Sequence, residues 1–383
     1  MNELSSPITV TRAVMPPLGE YAGYLAGIWE RGHLTNNGPL VQQLQAQLSS
    51  FMDDAHVELT TNGTVALQLA IRVLNLTGEV ITTPFSYVAT TAAILWERCQ
   101  PVFVDIEPAT FCLDVNKLEA AITPRTQAIL ATHVYGYPCD VAAIEAIAQR
   151  HRLKVIYDGA HAFGTRVQGR SLLTYGDVTA CSFHATKLFH TGEGGALVTN
   201  DPDLAQAVGL LKSHGHIGDT YVMPGTNAKT SELHAAMGLC LLPRVPALIA
   251  ARAALHQRYR AELVGLPLRY PVLPPDTEYN YAYFPVILPD VEAAVRLQAA
   301  LAAQGIGTRR YFFPTLNALP YLTGAPCPVA EDIAGRVLCL PFYAELEAEQ
   351  VQLVARCVRA FFQTDLSIPN GELSYAHPAA ACA

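Results

Sequence analysis

The sequence predicts an α/β protein: a large lobe over residues 1–245, built on a mainly parallel sheet with helices on both faces in three layers, and a smaller α+β lobe over residues 246–383. Three observations lead there. Short runs with apolar residues on both faces, such as EVIT, QAILAT, KVIY and GALVT, alternate with stretches of helical spacing, a pattern that fits strands buried on both faces by flanking helices. After residue 245 the composition shifts to the proline- and tyrosine-rich PVLPPDTEYNYAYFPVIL. With 383 residues, 51% hydrophobic and 15% charged, the chain can bury a core large enough for two lobes, and an oligomer would hide further apolar surface.

Residues 38–52 set Leu40, Leu44, Leu48 and Phe51 on one face behind a Gly-Pro start, which predicts a helix. A second helix is predicted over 64–76. Strands EVITTP, QPVFVDI and QAILATHVYG follow, then the helix VAAIEAIAQRH, then strands LKVIYDGA, VTACSFHAT and GALVTND. In such sheets ligands sit beyond the carboxyl ends of strands. Asp158 and the segment Ser182 to Lys187 both fall there. Past residue 245 the spacing predicts a helix over 245–263, a strand, a helix over 292–304, a strand over 306–312 and two more helices. From about residue 366 periodicity is lost, and a loose tail is expected.

A net charge of −8 argues against a general nucleic-acid binder, so an anionic substrate needs a local basic pocket. Nine cysteines without CxxC or zinc-type spacing read as reduced, mostly buried thiols, with the cytoplasm as the simplest compartment. The first residues lack a basic segment followed by an apolar one, so no secretory leader is expected. No membrane-spanning stretch is expected either. The HxH pair His214 and His216 has no acidic or cysteine partner at ligand spacing, so no metal site is expected.

Chemistry concentrates in SFHATKLFHTGEGG, where Lys187 lies between an apolar strand and a glycine-rich turn. A lysine amine condenses with an aldehyde only when neutral, which partial burial promotes. Ser182 can turn its hydroxyl to the same cavity, while Gly192, Gly194 and Gly195 permit close backbone approach. Asp158 ends the apolar run VIY, where an unpaired carboxylate is costly; a protonated pyridine nitrogen or a turn-capping role would each account for it. His161 suits either a contact to the phenolic oxygen of such a ring or a structural role. Gly63 and Thr64 open a helix whose amino end can hold a phosphate, or are simply a good helix start. Phe85 either covers a planar ring or packs in the core. Arg309 and Arg310, beside Tyr311, can bind phosphate or carboxylate or stay solvated. A reactive lysine, an aspartate for a pyridine nitrogen and a phosphate-binding helix end are the parts that pyridoxal phosphate requires.

With these residues assembled, the chain resembles the DegT/StrS-type nucleotide-sugar aminotransferases, a branch of the fold type I pyridoxal phosphate enzymes. The likeness runs from about Ile8 to Phe362 and is carried by LTNNGPLVQQLQ, TNGTVALQLA, ITTPFSYVATTAAI, PVFVDIEPATFCLD, THVYGYPCD, YDGAHAFG, SFHATKLFHTGEGG and PGTNAKTSELHAAMG. The resemblance implies the aspartate-aminotransferase type of large domain and a role for each matching residue. Lys187 would join the cofactor aldehyde, Asp158 the pyridine nitrogen, His161 the ring; Gly63, Thr64 and Ser182 would hold the phosphate, and Phe85 would stack on the ring. Asn227 matches an asparagine that reaches the neighbouring subunit's phosphate, which implies a homodimer with shared sites. Gly159 and Lys229 stand where many members carry alanine and arginine.

The resemblance further implies an amino group taken from L-glutamate and delivered to a nucleotide-linked ketosugar, with Lys229, Arg309, Arg310 and Tyr311 as candidate substrate contacts. His161 points to C4 of a dTDP-linked 4-keto-6-deoxyhexose, with a 3-keto isomer as the alternative. Lys187 speaks against a 3-dehydratase of the same fold, which carries histidine there, and neither an effector domain nor a lost lysine suggests a ligand-sensing module.

Overall fold

A computed structural model describes residues 7–322 and 324–365. Seven strands form the main sheet: β1 (His56–Thr60), β2 (Glu79–Thr82), β3 (Gln100–Phe103), β4 (Thr126–Thr132), β5 (Lys154–Asp158), β6 (Val178–Ser182) and β7 (Gly195–Thr199). Their order is β1-β7-β6-β5-β4-β2-β3, and β7 alone runs against the rest. The carboxyl ends of six strands and the amino end of β7 therefore meet at one edge.

Strand residues alternate between two cores, as the pleat requires. Val80, Ala128, Leu130, Ile156, Val178 and Leu197 pack under α3 (Gly63–Val73), α4 (Val88–Trp96) and α6 (Pro202–Leu211). Ile81, Ile129, Ala131, Val155, Tyr157 and Val198 face the side built from α2 (Pro39–Phe51), α5 (Val141–His151) and α7 (Glu232–Leu241). Both predicted helices near the start form, and α2 buries the predicted Leu40, Leu44 and Leu48.

A third core joins α8 (Val245–Glu262), α9 (Val291–Ala303) and α11 (Ala348–Asp365) to a two-stranded ribbon of β8 (Pro285–Ile287) and β9 (Val337–Cys339), with α10 (Pro328–Arg336) alongside. The expected boundary at residue 245 is crossed in both directions. Ile8 lies in this third core and bridges Ile306, whereas Tyr279, Tyr283 and Phe312 belong to the large-lobe core. No strand forms over 306–312. Only Ile306 and Arg309 make isolated bridges, because the chain then turns, with Phe313 N–H donating to the Arg310 carbonyl. The expected tail from residue 366 lies outside the described residues.

One continuous helical run, Glu232–Glu262, is long and apolar enough to cross a membrane by length and composition, contrary to expectation. It is tied into the protein by buried charged residues. Glu232 is fully buried and accepts from the amides of Leu40 and Val41 at 3.1 and 2.9 Å, and buried Arg252 donates to the carbonyls of Tyr281 and Ala282.

Candidate active site

A cavity of 660 Å³ opens at the shared strand edge, lined by Gly63, Thr64, Ser86, Tyr87, Asp158, His161, Ser182, Lys187, Arg309 and Tyr311 among others. The order of strands explains the gathering. Asp158 ends β5, Ser182 ends β6, and Gly63 begins α3 directly after β1.

At the α3 end, Asn62 caps the helix by accepting from Val65 N–H at 2.9 Å, and its carbonyl accepts from Ala66 N–H. The N–H groups of Gly63 and Thr64 are left with no protein acceptor among the described residues. Two free amides at the positive end of a helix suit a phosphate. A Cβ on Gly63 would lie 2.8 Å from Ser182 Cβ, so glycine is what lets the Ser182 hydroxyl reach the same spot. The glycine run has a second use: a Cβ on Gly195 would fall 2.5 Å from the Asn62 carbonyl carbon and 2.7 Å from Gly63 N. Strand β7 thereby supports the helix end from below.

Asp158 is 5% exposed. Its Oδ2 accepts from the Thr90 hydroxyl at 2.7 Å and its Oδ1 from Ala160 N–H at 3.1 Å. Burial raises its pKa, while these two donors and the Lys187 charge oppose the rise. Such a carboxylate still lacks a cation in contact, and a protonated pyridine nitrogen would supply one. Burial lowers Lys187, the Asp158 charge acting in the other direction, so its neutral, nucleophilic amine is reached at lower pH than for a solvated lysine. His161 is kept neutral by burial, with the Lys187 charge acting the same way; its Nδ1 accepts from Tyr135 N–H at 3.2 Å, which leaves the proton on Nε2. Its ring stacks on Phe312 at 5.7 Å. The residues present therefore fit pyridoxal phosphate at the phosphate, ring-nitrogen and aldehyde ends.

Four candidates lie elsewhere. Phe85 does not line the cavity: it is fully buried, edge-on to Phe111, Tyr135 and Phe312, because the turn at Pro84 points it into the core. Tyr87, two residues on and 61% exposed, lines the cavity in its place. Arg310 is also absent from the lining, since its guanidinium donates to the carbonyls of Ala334 and Gly335 and stacks 3.7 Å over Phe313. Lys229 borders a separate small cavity and donates to Asn227 Oδ1 at 2.8 Å. Asn227 itself is exposed and outside its own chain's cavity. Sequence reasoning passed over His184 and Glu193, whose side chains approach to 3.7 Å on the lining, and Thr90. The spacing of Thr90 four residues after Ser86, in the first turn of α4, was the available signal. Gly159 has a local cause: an alanine methyl would meet Leu173 Cδ2 at 2.5 Å.

The sequence profile described as the DegT/DnrJ/EryC1/StrS aminotransferase family matches residues 19–359. The chain belongs to this family. As such it is a pyridoxal phosphate-dependent nucleotide-sugar aminotransferase. The aminotransferase is 41% identical over 364 residues to the dTDP-4-amino-4,6-dideoxy-D-glucose transaminase of Shigella dysenteriae, covering 93% of this chain and 99% of that one. An Escherichia coli transaminase of the same name is 39% identical, over 93% and 98% of the two chains. Among solved structures, DesI in the presence of its TDP-sugar product superposes with a TM-score of 0.90 at 34% identity, covering 95% of each chain.

Proposed function

We propose that this aminotransferase takes its amino group from L-glutamate and delivers it to C4 of a dTDP-linked 4-keto-6-deoxyhexose, giving a 4-amino-4,6-dideoxy sugar. The observation that carries the reading is one cavity in which Lys187 faces a buried, hydrogen-bonded Asp158 beside the open amides of Gly63 and Thr64. The choice of sugar is supported by the names of the Shigella and Escherichia relatives.

Pyridoxal phosphate, when bound, supplies an aldehyde and an electron-withdrawing ring that accepts the electron pair left by a departing α-proton. Gly63, Thr64 and Ser182 would hold its phosphate, and Tyr87 would border its ring. Asp158 would keep the ring nitrogen protonated. Lys187 Nζ would take the proton from the substrate carbon and return it. His161 Nε2–H is a donor available to the ring's phenolic oxygen or to substrate. Arg309 and Tyr311, on the cavity wall, are the protein's own contacts for substrate anions; among the described residues Arg309 is the only guanidinium in that lining.

In this reading the working unit is a homodimer, with Asn227 serving the neighbouring subunit's phosphate. The compartment is the cytoplasm, supported by eight described cysteines that are all free. The test is mass spectrometry of products from dTDP-linked 4-keto and 3-keto sugars with glutamate. Amination of the 4-keto sugar is expected to be the faster. Faster turnover of the 3-keto isomer would overturn the regiochemistry, and no turnover of either would overturn the substrate class.

A further inference from the structure

Behind Asp158 lies a file of buried hydroxyls whose direction is set by hydrogen counting. Thr90 Oγ1 donates to Asp158 Oδ2 at 2.7 Å, which uses its one hydrogen. The 2.7 Å contact between Thr90 and Ser86 must then be filled by the Ser86 hydrogen. Ser86 in turn accepts from Thr132 Oγ1 at 3.1 Å. The file thus runs one way, from Thr132 through Ser86 and Thr90 to the carboxylate. Its members come from the end of β4, the turn after β2, the first turn of α4 and the end of β5, and none is more than 5% exposed. Thr132 and Asp158 are paired across neighbouring parallel strands, so the file leaves one strand end and returns beside it. Burial nearby does not bring hydroxyls partners automatically: Thr82 and Thr91 are equally buried, and their hydroxyls have none.

We propose that Thr132, Ser86 and Thr90 form a one-way donor relay that holds Asp158 ionised and oriented for the cofactor's ring nitrogen, and so act as positioning residues in transamination. The proposal rests on the reading of Asp158 given above. Protonation of Asp158 at Oδ2 would turn that oxygen from a charged into a neutral, weaker acceptor for the Thr90 hydrogen and so weaken the file at its last link. The anion keeps every link. Oδ1 is secured separately by Ala160 N–H, and the Lys187 charge also favours the anion. Burial alone would favour the neutral acid, which cannot keep a pyridine nitrogen protonated; the relay opposes it.

The test uses the full chain with cofactor and two changes at one site. Thr90→Val keeps the shape and removes the donor, and Thr90→Ser restores it. Two quantities are read: the cofactor dissociation constant of the apoprotein, and the single-turnover rate and half-saturation concentration for glutamate. A hydrogen bond to a charged group is lost, so Thr90→Val should weaken cofactor binding about tenfold or more and slow the saturated half-reaction roughly ten- to a hundredfold. Half-saturation by glutamate should stay within about threefold, and Thr90→Ser should come within about threefold of wild type in both measures. In an Asp158→Asn background Thr90→Val should add less than about twofold, because the group it serves is gone.

Full function in Asp158→Asn would overturn the underlying reading of Asp158. A crippled Asp158→Asn beside a Thr90→Val that matches wild type in both measures would overturn the relay alone. If Thr90→Val does not fold, Ser86→Ala takes its place one link further back. A smaller loss is then expected, again absent in the Asp158→Asn background, and a loss that simply adds there would overturn the relay.

Discussion

Replacing Gly195 by alanine isolates the support under the phosphate-binding helix end. Gly195 opens β7 between two partners, pairing with Thr60 of β1 and Ser182 of β6, and its missing side chain faces backbone. An added Cβ would meet the Asn62 carbonyl carbon at 2.5 Å, its oxygen at 2.6 Å and Gly63 N at 2.7 Å. Carbon contacts settle near 3.5 Å, so the Asn62–Gly63 backbone must retreat by about 1 Å. Overpacking of this kind costs about 1–3 kcal/mol. Because the atoms displaced carry the free amides, the cost falls on cofactor affinity as well as on folding. The dissociation constant for pyridoxal phosphate, measured by equilibrium dialysis of the apoprotein, should rise roughly five- to 150-fold. Gly192 is the control, with φ of +80° and open space around its Cβ position. Gly192→Ala meets only backbone strain, about 1 kcal/mol, and should leave the affinity near wild type. A Gly195→Ala protein that melts earlier yet binds cofactor within twofold of wild type would refute the assignment of the α3 end as the phosphate cradle.

Lys187→Ala should abolish transamination while leaving the melting temperature within a few degrees, because the side chain lies partly open on the cavity wall; activity within about tenfold of wild type would contradict its role. Arg309→Gln should raise the Michaelis constant of the nucleotide sugar roughly ten- to a hundredfold, whereas Arg310→Gln should lower stability and leave that constant unchanged, and the reverse outcome would reassign the pair. Mixing Lys187→Ala with an inactive Asn227→Ala variant should restore about a quarter of wild-type activity through mixed dimers with one intact site each; no recovery after verified subunit exchange would place Asn227 in its own site or in none. His133 is fully buried, and burial pushes its pKa down to about 3. The unfolded chain takes up that proton below about pH 6.5 while the fold refuses it, so the stability it contributes is complete above that value and lost as pH falls toward about 3. His133→Asn should therefore lose less melting temperature than wild type between about pH 7 and about pH 4.5, and parallel curves would exclude His133 as the cause.

What the sequence determined by itself was the local chemistry and the order of elements. Apolar runs and capped helices follow from neighbours within a few residues, so the parallel sheet, the α2 face and the helix start at Gly63 were legible, as were Lys187 and Asp158 at strand ends. Their convergence follows from a rule of topology, since parallel strands bring their carboxyl ends to one edge. The tertiary structure alone decided between adjacent residues of like chemistry. Phe85 and Tyr87 differ by two positions across a turn, and Arg309 and Arg310 by one; which member meets the cavity depends on where the core and the carbonyls of α10 lie. It also decided the long-range memberships. Ile8 joins the C-terminal core more than two hundred residues away in sequence, and the hydroxyl file reaches Asp158 from three elements at once. Packing sets such contacts through space, and no periodicity within one segment of sequence records them.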